Sequence, residues 1–133
     1  MVGEAGEVSI ISRIAVLLVA MFLSMFPAVA ATDAKAQREI DALIAGLGDS
    51  GCQFERNGSW HDAKAARAHL QKKYDYLRKR GLADTPELFI ERGASKSSMS
   101  GKAYRVRCPG KQVETSERWF RQRLQALRAA AAR

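Results

Sequence analysis

Few of the residues that build metal and redox centres occur in this chain of 133 residues, which holds two cysteines and two histidines. Cys52, Cys108, His61 and His69 stand at no zinc-ligand spacing, so no metal site and no cofactor is expected. Long apolar runs are scarce as well. The single one, Ile14 to Phe26, has 13 residues, whereas a membrane-spanning helix needs about 20. Phosphate-loop chemistry lacks its motif, because Gly101-Lys102 is followed by Ala103 and Lys96 stands where the first glycine belongs. No Ser-x-x-Lys pair occurs, which excludes the penicillin-recognising enzymes. A chain of this length makes one domain, too small for a dinucleotide-binding enzyme with a second domain, a barrel enzyme or a multi-pass membrane protein. Hydrophobic residues at 47% and charged ones at 27% exclude a disordered tail.

What is present begins with the three parts of a secretory signal. Met1 to Arg13 is a polar, basic-ended start, Ile14 to Phe26 is the apolar core, and Pro27 interrupts it. Ala28-Val29-Ala30 then offers the small residues that signal peptidase accepts. Residues 1–30 are therefore expected to be cleaved, leaving residues 31–133 as a soluble periplasmic domain with no transmembrane segment. The leader holds one Arg and two Glu, so its removal raises the net charge from +8 to +9. An oxidising compartment favours joining Cys52 to Cys108 as a structural disulfide.

Helical spacing places a first helix over Asp33–Leu47, with Ile40, Leu43, Ile44 and Leu47 on one stripe. A second covers Asp62–Arg80, with Ala66, Leu70, Tyr74 and Leu77 inward. A third opens at Thr85-Pro86 and ends at Gly93, with Leu88, Phe89 and Ile90 filling one side. Thr115 caps a last helix carrying Trp119, Phe120, Leu124 and Leu127, and the tail from Ala129 to Arg133 is expected to fray. Cys52–Arg56 and Tyr104–Cys108 alternate as strands. Pairing them antiparallel with Cys52 opposite Cys108 sets Phe54 opposite Val106 and Arg56 opposite Tyr104, so both apolar sets face one way. The expected fold is α+β: four short helices around a two-stranded antiparallel sheet, a single small domain with one disulfide.

Ala94 to Lys102 is a serine-rich loop, and Ser95, Ser97, Ser98 and Ser100 are candidate anion contacts through their hydroxyls and neighbouring backbone donors. The bland alternative is a polar loop whose serines bond their own backbone. His69 stands at the edge of the second helix's apolar stripe with Lys73 one turn on. It is read either as a base toward a loop serine or as a partly buried imidazole bonded to a carbonyl. Trp60 and Trp119 are expected as core or core-edge anchors, and Arg105 and Arg107 as a basic strip on the solvent face of the second strand.

Phe54-x-Arg56-Asn57-Gly58, His69-Leu70-x-x-Lys73, Phe89-Ile90 and the stretch Ala94-Ser95-x-Ser97-Ser98-x-Ser100-Gly101-Lys102-x-Tyr104-x-Val106, with Pro109-Gly110 after it, resemble the YfeK-like proteins. These are small exported proteins of Gram-negative bacteria that form a domain of unknown function. The resemblance covers Ile40 to Leu127 and implies a periplasmic location, but no activity.

Polar residues among those matches lean toward binding. The resulting expectation is a non-enzymatic binding or interaction module, with His69, Lys73, Ser95, Ser97, Ser98, Ser100 and Tyr104 forming a polar site. Export makes an anionic envelope ligand or an envelope protein the natural partner and removes nucleic acid. The rivals are a serine-dependent hydrolase using a loop serine with His69, and an inhibitor of an envelope enzyme.

Overall fold

A computed structural model describes the backbone of residues 27–133 and the side chains of residues 34–133. The leader assigned to residues 1–30 falls, up to residue 26, outside the described residues. Helix α1 runs Pro27–Gly48, β1 Gln53–Arg56, β2 Ser59–His61 and α2 Ala63–Arg78. They are followed by α3 Pro86–Phe89, which continues as a π turn over Ile90–Ala94, then β3 Arg105–Arg107, β4 Glu114–Thr115 and α4 Ser116–Ala131. Among the described residues no helix is long and apolar enough to cross a membrane.

The sheet has four strands in the order β2-β1-β3-β4, all pairs antiparallel, instead of the expected two. The first extra strand follows from the Asn57-Gly58 turn. Both residues have positive φ, 50° and 81°, as a tight hairpin of the primed type requires, and the chain folds straight back onto β1. Phe54 then faces His61, and Arg56 faces Ser59. The second, Glu114–Thr115, is only two residues long and lies along β3 just before α4 begins. Neither segment has enough alternation to mark it as a strand. Tertiary pairing supplies what propensity does not.

The central register agrees with expectation. Phe54 lies opposite Val106 and Glu55 opposite Arg105. The Cys52–Cys108 disulfide closes the end of this ladder with a Cα–Cα distance of 4.2 Å. Alternation along β1 and β3 sends Cys52, Phe54, Tyr104 and Val106 into the core. They meet Ile40, Leu43, Ile44 and Leu47 of α1, Leu70, Tyr74 and Leu77 of α2, and Trp119, Phe120 and Leu124 of α4. Each large apolar side chain so buried contributes roughly 1.5–3 kcal/mol.

Several boundaries differ from expectation for physical reasons. The third helix changes to π geometry at Ile90 and extends past Gly93 to Ala94. Leu88 is only half-buried, while Gly93 is packed so closely that a Cβ there would meet the Phe89 ring at 3.1 Å and Leu77 Cδ1 at 3.3 Å. The tail stays helical through Ala131. Trp60 is not a core anchor. It lies half-buried on the outer face of the sheet beneath the guanidinium groups of Arg107 and Arg105, 4.2 Å and 5.7 Å from its ring centre.

Candidate functional site

On the inner side of the β1–β2 hairpin the chain opens a cleft of about 680 Å³, within the range of small-molecule sites. Three segments position its walls. The hairpin supplies Arg56, Asn57, Ser59 and His61, because alternation sends Arg56 to the helix side of the sheet. Helix α2 supplies His69, Lys72, Lys73 and Tyr76 at helical spacing. The loop after the π turn supplies Ser97, Ser98 and Met99, and Tyr104 closes the floor.

A continuous polar chain runs along that floor. The Arg56 guanidinium donates to His69 Nδ1. Arginine has only donors, so Nδ1 is the acceptor and the imidazole proton sits on Nε2, 3.3 Å from the Tyr104 hydroxyl. Lys73 Nζ donates to the same hydroxyl at 3.1 Å and to the Lys96 carbonyl at 2.7 Å. The lysine thus ties α2 to the loop as well as facing the cleft.

Electrostatics follow from this crowding. Burial, and after it the charges of Arg56, Lys73, His61 and Lys72, hold the His69 imidazolium down to about 4. His69 is therefore neutral at pH 7. Burial, followed by Arg56, lowers the Lys73 ammonium to about 8, and burial raises the Tyr104 phenol while Arg56 opposes the rise. Among the described residues no carboxylate lines the cleft. Among the described residues, Arg105, Arg118, Arg121 and Arg128 each pair with a glutamate, whereas Arg56, Lys72 and Lys73 pair with none.

The serines play four different parts. Ser95 lies away from the cleft, and its hydroxyl donates to the Ile90 carbonyl at the start of the π turn. Ser97 is buried, and its hydroxyl accepts from the backbone N–H groups of Met99 and Ser100 and from Asn57 Nδ2. Ser100 donates to Asn57 Oδ1 at 2.6 Å, pinning the loop to the hairpin turn without lining the cleft. Ser98 is exposed on the cleft wall with no hydrogen bond among the described residues.

Of the sequence candidates, the structure brings His69, Lys73, Ser97, Ser98 and Tyr104 together and leaves Ser95 and Ser100 outside. His69 bonds side chains, not the backbone carbonyl expected of a buried imidazole. Its partners are a guanidinium and a phenol, and none of the four serines reaches it. Among the described residues no three metal-ligating side chains gather. Sequence reasoning missed Arg56, His61 and Lys72 as site members. Arg56-Asn57 stands in the Arg-Asn-Gly motif that carries the family resemblance, but its proximity to α2 is a tertiary fact.

The match to known proteins covers the whole of this arrangement. Residues 34–128 match the family model described as a family of unknown function, DUF5329. The chain belongs to this family. It is 37% identical over 93 residues to the uncharacterized protein YfeK of Salmonella typhimurium, spanning 69% of this chain and 75% of that protein. No solved structure matches. The matched span takes in the hairpin, α2, the serine loop and Tyr104, so every wall of the cleft lies inside the family domain.

Proposed function

We propose that this protein is an exported, non-enzymatic binding module whose cleft takes a ligand through carboxylate or phosphate oxygens. The observation that carries the reading is the charge of the cleft: three cationic side chains with no carboxylate beside them among the described residues. Two of them, Arg56 and Lys73, are drawn partly out of water, where charges are normally paired, and an anionic ligand supplies that pairing. Ser98 and the neutral imidazole of His69 add polar contacts that cost no charge repulsion. Export is proposed from the leader pattern of residues 1–30, and the Cys52–Cys108 disulfide supports it, since such bonds persist in oxidising compartments. The periplasm of a Gram-negative cell is the compartment that fits both.

Calorimetric titration with inorganic phosphate and with citrate tests the reading. Saturable binding that Arg56→Gln and Lys72→Gln each weaken, with no response to choline, is the expected result. No saturable binding of phosphate, citrate or a phosphate monoester rejects the anionic ligand. If alanine at Ser98, His69 and Lys73 lowers only the melting temperature, the cluster is a structural network.

A further inference from the structure

The cleft has a second chemical character besides its charge. Four large apolar side chains are exposed among the described residues, and two of them, Tyr76 at 56% and Met99 at 97%, belong to this cleft. They stand on different walls, one on α2 and one on the serine loop. Met99 is not on a loose tip, because its N–H is bonded to the Ser97 hydroxyl and the next N–H shares that acceptor. One face of the Tyr76 ring is covered by the Arg80 guanidinium at 3.7 Å. An exposed thioether and an exposed phenol ring on the walls of a basic cleft offer apolar surface to a ligand seated there.

We propose that the ligand is an amphiphilic phosphate ester, its phosphoryl group held by Arg56, Lys72 and Lys73 and its apolar chain laid between Tyr76 and Met99. This rests on the anion-binding reading above and narrows its ligand class. A phosphate monoester is close to dianionic at pH 7 and presents three acceptor oxygens. Lys73 has three donors, of which the Lys96 carbonyl and Tyr104 hydroxyl use two. Arg56 commits one nitrogen to His69 and keeps the rest of its fork, the group best shaped for phosphate oxygens. A small carboxylate would satisfy fewer of these donors and leave the apolar walls in water. The same chemistry belongs to a phospholipid headgroup in a membrane and to a free phosphorylated amphiphile.

The test uses protein purified after expression of the full chain in a Gram-negative host. Calorimetry compares dihexanoyl phosphatidic acid below its micellar concentration with glycerol 3-phosphate and dihexanoyl phosphatidylcholine. Phosphatidic acid is expected to bind at least about tenfold tighter than either. Arg56→Gln weakens both phosphate monoesters, and Met99→Ser brings phosphatidic acid down to the affinity of glycerol 3-phosphate. Co-sedimentation with dioleoyl phosphatidylcholine vesicles only when they contain phosphatidic acid assigns the membrane headgroup. Binding of the short-chain monomer alone assigns the free amphiphile. Equal affinity for phosphatidic acid and glycerol 3-phosphate overturns the amphiphile and leaves the anion site standing. Failure of both, together with failure of inorganic phosphate, overturns the anion site as well.

Discussion

The Lys73 ammonium rests on Tyr104, with Nζ 3.1 Å from the phenolic oxygen and 4.8 Å from the ring centre. Tyr104 is buried and also bonds His69, so one phenol joins helix α2 to the segment that enters β3. Tyr104→Phe keeps the ring against Phe54, 5.0 Å away, and removes only the hydroxyl. The expected loss is about 1–3 kcal/mol, because two donors lose a shared acceptor inside the fold. Urea unfolding of the two proteins measures it. An unchanged midpoint would show that the hydroxyl is solvated rather than bonded.

Acid should weaken the fold through His69. Its folded value of about 4 lies below the 6.5 of an unperturbed imidazole. Between these values the unfolded chain binds more protons than the folded one, so stability is full above pH 6.5 and falls as the pH drops toward 4. Urea midpoints across that window should decline with acid, and His69→Gln should flatten the decline. The His69 resonances in NMR should titrate far below pH 6.5, and a normal titration would contradict the contact with Arg56.

Two loop serines, Ser97 and Ser98, should separate cleanly in a thermal denaturation series. Ser97→Ala removes a buried acceptor that serves three donors and should cost about 1–3 kcal/mol. Ser98→Ala removes an exposed hydroxyl and should stay within about 0.5 kcal/mol of the parent. A Ser98→Ala protein as destabilised as Ser97→Ala would mean the loop packs differently.

Mass spectrometry of non-reduced, alkylated protein should find no reactive thiol, since Cys52 and Cys108 are joined across a separation of 56 residues. Closing a loop of that length is worth roughly 4 kcal/mol in the chain-entropy model. Reduction, or the paired change of Cys52→Ser and Cys108→Ser, should therefore lower the melting temperature by roughly 15–30 °C. A shift of a few degrees would show that the β1–β3 register holds without the bond.

Local chemistry alone determines much of this protein. Helical stripes such as Leu70-Tyr74-Leu77, the caps Thr85 and Thr115, and the alternation around Phe54 and Val106 all act within a few residues. They were therefore legible, as was the register that brings Cys52 to Cys108. The chain's own pattern likewise marked His69, Lys73 and the serine loop as polar features needing an account. Only the tertiary structure decided which of them meet. Strands as short as Ser59–His61 and Glu114–Thr115 exist because neighbours complete their hydrogen bonds. The π turn at Ile90 depends on packing against two helices. Arg56 faces α2 only because the hairpin folds inward, and charge crowding at His69 arises between groups distant in sequence. Periodicity reports the face a residue takes, whereas the partner across the gap is set by the closing of the whole chain.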